Sequence, residues 1–301
     1  MIRRAILLWV WLLVPLAARA DGDLDANVQA ILAEPGDAVQ AGVWFGRPSG
    51  EPIYQLGASR ALPAASVVKT AILIELFAAN AGRLDEALGG LDVVLADDKH
   101  PAMAPFSAAQ RGEIRAAFQG ASARTVGAIM MGSKKASVAV YNAAANLAIA
   151  ALGGPADTSA KIRARDAAFG GVVVRRYMLA SRTAHGDNEA TPASLAAVLA
   201  AIATGKVPGV DAATADAMAQ AMMKATDPAL GVHRHKEGNL DTDPMTNVKT
   251  GFFVPAGKPP LVYVVGAALS AKPAGSRGDA ARRLDKMTGA VLATLRAAGG
   301  R

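Results

Sequence analysis

Residues able to form β-strands are confined to two places far apart in this chain, and that placement restricts the fold more than any other feature. Ala38 to Phe45 and Pro52 to Leu56 read as two strands. The turn sequence Gly46-Arg47-Pro48-Ser49-Gly50 joins them into a hairpin. Met245 to Val254 and Pro260 to Ala268, rich in Val and Phe, form a second strand region around Pro255-Ala256-Gly257-Lys258-Pro259. The intervening sequence is alanine-rich, with apolar residues at three- and four-residue steps near 107–117, 125–131, 138–151 and 157–167. Thr191-Pro192 opens a further helix, with Thr191 as N-cap and Pro192 at N1. Another helix is expected over about 211–225, and helices at Leu24 to Leu32 and about 277–298 flank the whole. The expected class is α+β: an antiparallel sheet shared by the two ends, flanked by helices, with an inserted all-α region. One domain is expected over 21–301, its α/β part about 21–75 and 205–301 and its helical part about 76–204.

The first twenty residues read as a processing signal. Arg3 and Arg4 precede an apolar run from Ala5 to Ala17, and Ala18-Arg19-Ala20 has the small-x-small form of a cleavage site. The run is short for a membrane span, so export to the periplasm or medium is expected, with no stable span after cleavage. Cleavage would remove Arg3, Arg4 and Arg19 and take the net charge from +7 to +4. No stretch interleaves clustered Lys or Arg with aromatics, so nucleic acid is not an expected partner. The chain has no Cys, which excludes disulfides, thiolate zinc sites and a cysteine nucleophile. His185, His233 and His235 lack convincing ligand spacing and read as solvated loop residues, and no metal or cofactor is expected.

Two short motifs carry chemistry. Ser66-Val67-Val68-Lys69 heads a long apolar helix, expected to run to about Asn80, and puts a hydroxyl and an amine on one helical face. A serine needs a base, and Lys69 becomes one if burial or a second cation lowers its pKa. Lys249-Thr250-Gly251 lies within an apolar strand. There Lys249 would attract an anionic substrate, Thr250 donate to its carboxylate and Gly251 admit a ligand against the backbone. By chance S-x-x-K arises roughly once in a chain this long, and K-T-G in fewer than about one chain in ten. The plain alternatives are a helix-capping Ser66 with a surface Lys69, and a Lys249 that protects an edge strand.

With these motifs in this order the chain resembles a class A β-lactamase, within the wider group of penicillin-recognising serine enzymes. The resemblance spans nearly everything after residue 20 and implies a β-lactamase/transpeptidase-like fold. It implies Ser66 as the acylated nucleophile, Lys69 as its proton acceptor, and Lys249 and Thr250 as carboxylate-binding groups. The backbone N–H groups of Ser66 and Phe252 would form the oxyanion hole. Val140-Tyr141-Asn142-Ala143-Ala144-Ala145-Asn146-Leu147 matches the family's S-D-N-T-A-A-N-L segment, which makes Asn142 the contact for a substrate amide. Val140 stands where the family has its proton-relaying serine, and Tyr141 where it has aspartate; Tyr141, Ser133 or Ser137 could take over the relay. The family's water-activating glutamate has no counterpart in Val172 to Pro192, where Arg175-Arg176-Tyr177-Met178 carries no acid and Glu189 reads as surface. Arg176 and Asp187 would close that loop as an ion pair. The resemblance thus implies an exported serine hydrolase for a β-lactam, amide or ester, and a monomer is expected; the two departures, Val140 and the missing glutamate, lead to an expectation of slow acylation or slow deacylation with penicillins. A D,D-peptidase or esterase, and a retired cell-wall-binding module, are the rival readings.

Overall fold

The computed structural model describes residues 14–33, 39–49, 51–269 and 275–300, with side chains from Asp23 onward. The expected signal sequence lies outside these residues up to position 13. From there helix α1, Val14–Ala33, continues through the expected cleavage site. Strands β1 (Val39–Gly46), β2 (Pro52–Leu56) and β3 (Leu62–Pro63) follow. A 3-10 turn, Ala65–Val68, leads into α2 (Lys69–Ala79). The helical middle comprises α3 (Leu91–Ala96), α4 (Ala108–Phe118), α5 (Ala123–Met131), α6 (Val138–Ala151), α7 (Pro155–Arg165) and α8 (Arg182–His185). Then come β4 (Glu189–Ala190), α9 (Pro192–Thr204), α10 (Ala212–Ala221), β5 (Met223–Asp227), β6 (Gly231–Leu240), β7 (Thr246–Val254), β8 (Leu261–Leu269) and α11 (Arg277–Gly299).

The two ends build one antiparallel sheet of order β2-β1-β8-β7-β6-β5, and β3 pairs with β4 in a separate small ribbon. The α+β expectation holds, with four strands added: β5 and β6 in the main sheet, and β3 and β4 in the ribbon. The helix expected over 211–225 stops at Ala221, and β5 and β6 follow it. Strand β6, Gly231 to Leu240, reads in sequence as a charged loop because both its faces carry polar groups. Its register with β7 pairs Lys236 with Thr250 and Glu237 with Lys249, which fixes the face each side chain takes.

Those two faces have different neighbours. Helices α1 and α11 cover one, enclosing Leu24, Val28, Phe45, Phe253, Tyr263, Val291 and Leu295. Against the other lies a larger core that includes Val67, Val68, most of α2 and the helical middle. From Lys69 to Phe77 every residue of α2 is buried, as expected of a helix that is apolar around its whole circumference. Its buried Glu75 is held by Arg165 through two bonds of 2.9 Å. Thr191 caps α9 as expected, its hydroxyl accepting from the Ser194 N–H at 3.2 Å. No single helix among the described residues is long and apolar enough to cross a membrane.

The histidines of β6 are not loop residues. His233 stacks on Phe253 at 4.5 Å and on His235 at 4.6 Å, and its Nε2 lies 2.8 Å from the Tyr263 hydroxyl. Burial, and then the neighbouring His235, lower the His233 pKa from 6.5 to about 4. The folded state therefore resists a proton that the unfolded chain accepts. Stability from this group is present above about pH 6.5 and is lost as pH falls toward about 4, a loss of about 1–2 kcal/mol once solvent screening of the half-exposed ring is allowed for. Urea titrations at pH 7 and 4.5 should show this loss, and His233→Phe should shrink it; an undiminished loss in the variant would refute the assignment.

Candidate active site

Ser66 is placed by a short stretch of strained backbone. Ala65 adopts φ +46°, which costs a non-glycine residue about 1 kcal/mol or more. The 3-10 turn then carries Ser66 in front of α2. With three residues per turn, positions i and i+3 eclipse, so Lys69 lies directly beneath Ser66. Gly238 of β6 closes on the same turn. A Cβ there would sit 2.7 Å from the Ser66 nitrogen and 3.0 Å from that of Val67, so only glycine lets the strand run this close.

Lys69 is fully buried. Its Nζ donates to Asn142 Oδ1 at 3.1 Å and lies 3.4 Å from the Tyr141 ring centroid. Burial, reinforced by the nearby Lys236 charge, holds its pKa well below that of an ordinary lysine. Lys236, itself buried, donates to the Tyr141 hydroxyl at 2.5 Å with its Nζ 4.7 Å from the ring centroid. Two amines therefore converge on one tyrosine beside Ser66. Asn142 turns its Nδ2 onto the Val138 carbonyl at 3.1 Å, one helical turn back, so its amide oxygen serves the lysine.

The second cation is thus Lys236 and not Lys249. The structure sends Lys249 to the opposite face of the sheet, where it bonds Asp285 of α11 at 2.7 Å and lies 3.6 Å from Glu237. Gly251 shares that face; a Cβ on it would sit 2.3 Å from the Arg234 carbonyl oxygen, so its glycine serves sheet packing. Thr250 faces the site but is buried, its hydroxyl donating to the Lys236 carbonyl at 2.9 Å. It positions the lysine and does not reach the cleft. Phe252 is buried in the middle of the sheet, paired with Arg234 on one side and Val262 on the other, which commits its backbone to the ladder. The first K-x-G triplet, Lys236-Glu237-Gly238, occupies the place expected of the second. Pairing of β6 with β5 ends at His235, so past that point β6 has a free backbone edge.

The cleft beside Ser66 measures about 690 Å³. Tyr141, Asn142, Met178, Leu179, Glu237 and Asn239 contribute to its wall. Its far wall is the loop from Val172 to Pro192, which Asn146 fixes by accepting from the Met178 N–H at 2.6 Å. Arg176 pairs with Asp187 at 3.0 Å, the loop-closing pair that the resemblance implies. Arg182 binds the same carboxylate and also the Thr242 carbonyl at 2.9 Å, tying the loop to the turn after β6. Met178 contributes to the cleft wall, and Glu189 is turned to Arg175 at 2.6 Å. Val140 is buried, and Ser137 accepts from the Val140 N–H at 3.3 Å as the N-cap of α6. Ser133 donates to the Ala128 carbonyl at 3.2 Å. Of the three candidate relays only Tyr141 joins the two amines. Among the described residues no group of three His, Cys, Asp or Glu is arranged to hold a metal.

This architecture matches solved structures. A β-lactamase from Burkholderia vietnamiensis superposes with a TM-score of 0.64 at 20% identity, covering 89% of this chain and 94% of that one. A variant of the reconstructed last common ancestor of Gram-negative class A β-lactamases gives 0.62 at 15% identity, covering 90% and 97%. No protein-family model matches the sequence, and no curated protein does. The fold is therefore of the β-lactamase type.

Proposed function

We propose that this chain is a serine hydrolase that forms an acyl-enzyme on Ser66 with a β-lactam, amide or ester. The observation that carries the reading is Lys69, fully buried one 3-10 turn from Ser66 with Tyr141 against it and Lys236 on the Tyr141 hydroxyl. In acylation the Ser66 Oγ attacks the substrate carbonyl carbon and neutral Lys69 takes its proton. The developing oxyanion is held by the Ser66 N–H and by the N–H of Asn239, which follows the Lys-x-Gly triplet on the free edge of β6. Collapse of the tetrahedral intermediate breaks the bond to the leaving group. Protonated Lys69 returns the proton, directly or through the Tyr141 hydroxyl that Lys236 polarises.

One feature favours esters and a second favours slow deacylation. Val140 cannot protonate a departing amine, whereas an alkoxide or phenoxide leaves with less help. Met178 offers no base to activate water, so the acyl-enzyme is long-lived. Intact-mass measurement after mixing with an activated phenyl ester or a penicillin should show one added acyl group that persists, and Ser66→Ala should show none. No adduct with either reagent, or an adduct unchanged in Ser66→Ala, would refute the reading. Export of the enzyme rests on Arg3, Arg4, the apolar run and Ala18-Arg19-Ala20, and sequencing the N-terminus of the secreted protein checks it.

A further inference from the structure

We propose that Asn247 of β7 is a positioning residue for the oxyanion hole, and that it acts by holding the Asn239 side chain and so the direction of the Asn239 N–H. The proposal rests on the hydrolase reading above, which gives that N–H to the developing oxyanion. Pairing of β6 with β5 ends at His235, so from Lys236 onward β6 is paired with β7 alone. Asn239 and Leu240 are its last two rungs, opposite Asn247 and Thr246. A strand end with one neighbour opens easily, and a donor that swings out of line loses most of its hold on a developing charge.

Two contacts hold this strand end, one on each face of the sheet. On the Ser66 face, Gly238 lies against the 3-10 turn. On the α11 face, Asn239 Oδ1 accepts from Asn247 Nδ2 at 2.6 Å, a bond between residues directly opposite one another on antiparallel strands. Asn247 is itself buried and fixed by α11. Its Nδ2 also donates to Asp285 Oδ1 at 3.2 Å, and its Oδ1 accepts from the Thr288 hydroxyl at 2.6 Å. The hydrogen bond from Lys249 holds the Asp285 carboxyl below the usual carboxylate range. A charged carboxylate only accepts, so the Asn247 amide NH2 must turn to it and leave the amide oxygen to Thr288. Both amide hydrogens of Asn247 are then used, and a packed helix sets the rotamer of an exposed residue at the lip of the cleft. Of the three side chains that Asn247 binds, only Asn239 belongs to the cleft wall.

The test compares phenyl acetate with its thiono analogue, in which sulfur replaces the carbonyl oxygen. Sulfur accepts hydrogen bonds weakly, so an oxyanion hole in working order favours the oxygen ester. The single-turnover rate constant for acylation of Ser66, which counts folded protein only, is divided by each ester's own alkaline hydrolysis rate. The expected oxygen-to-sulfur preference is about a hundredfold in the unaltered protein. It should be about tenfold smaller in Asn247→Ala and in Asn239→Ala, with no further fall in the double variant, because both substitutions break one bond. Asn239→Ala removes an exposed side chain and leaves Asn247 on Asp285 and Thr288, so it decides the matter even if Asn247→Ala does not fold. Equal slowing of both esters, a preference untouched in a folded single variant, or losses that multiply in the double variant would overturn the proposal and leave the hydrolase reading standing. So would the absence of any oxygen preference in the unaltered protein. Failure of both esters to acylate Ser66 in the unaltered protein would instead remove the hydrolase reading and this proposal with it.

Discussion

Lys236→Met is expected to slow acylation of Ser66 by about a hundredfold or more at neutral pH, whereas Lys249→Met should leave it within about threefold. The two residues head the chain's two K-x-G triplets, yet they act on opposite faces of one sheet. Lys236 does two things at the site. Its positive charge disfavours a proton on Lys69, and its ammonium polarises the Tyr141 hydroxyl. Without it Lys69 is harder to keep neutral, and Tyr141 loses its donor. The pH dependence gives a second readout. Acylation should rise with pH as Lys69 loses its proton, and the rise occurs well below the ordinary range for lysine because burial and Lys236 depress the pKa. In Lys236→Met the rise should move to higher pH, and single-turnover acylation at several pH values measures it. Lys249→Met should register in stability instead, by about 0.5–1 kcal/mol, since its partners Asp285 and Glu237 are largely exposed. If Lys249→Met proved the damaging substitution, the roles given to the two lysines would be wrong.

Met178→Glu is expected to speed release of the acyl group by about tenfold or more, the lower end of what a positioned general base contributes. The backbone at Met178 is already fixed by Asn146, and this buried residue lines the cleft that also holds Ser66. A carboxylate there lies where it can take a proton from a water approaching the acyl carbon. The substitution buries a charge and lowers stability by about 1–3 kcal/mol. Met178→Gln fills the same volume without a base and serves as control. Burst kinetics separate the steps: the burst should keep its amplitude and the steady rate rise in Met178→Glu only. A rise of equal size in Met178→Gln would mean that loosening of the loop, not base catalysis, had freed the acyl group.

The fold was largely legible in the sequence because its β-segments cluster at two ends and its helices carry clear periodicity. Ser66 and Lys69 were legible because they interrupt an otherwise apolar helix start. Burying an amine there costs free energy that packing alone does not return, so its presence points to chemistry. Lys236 was not legible, for a physical reason. Alternation of apolar and polar residues identifies a strand with one wet face, but β6 has His233, His235 and Glu237 on one face and Arg234, Lys236 and Gly238 on the other. It is a strand because β7 pairs with it, and no local propensity announces that. The Lys249 triplet, set in Val and Phe, drew the assignment instead. The signal that could have corrected it is the repeated K-x-G itself: both triplets sit in paired strands, and register alone decides which lysine faces the nucleophile. Phe252 followed Lys249 into error by the same route.

The antiparallel packing of α1 against α11 brings residues near Leu24 close to those near Leu295, on the side of the sheet away from Ser66. A carrier protein, a purification handle or a solid support joined through the C-terminal end of α11 would therefore stand behind the molecule and leave the mouth of the cleft unobstructed.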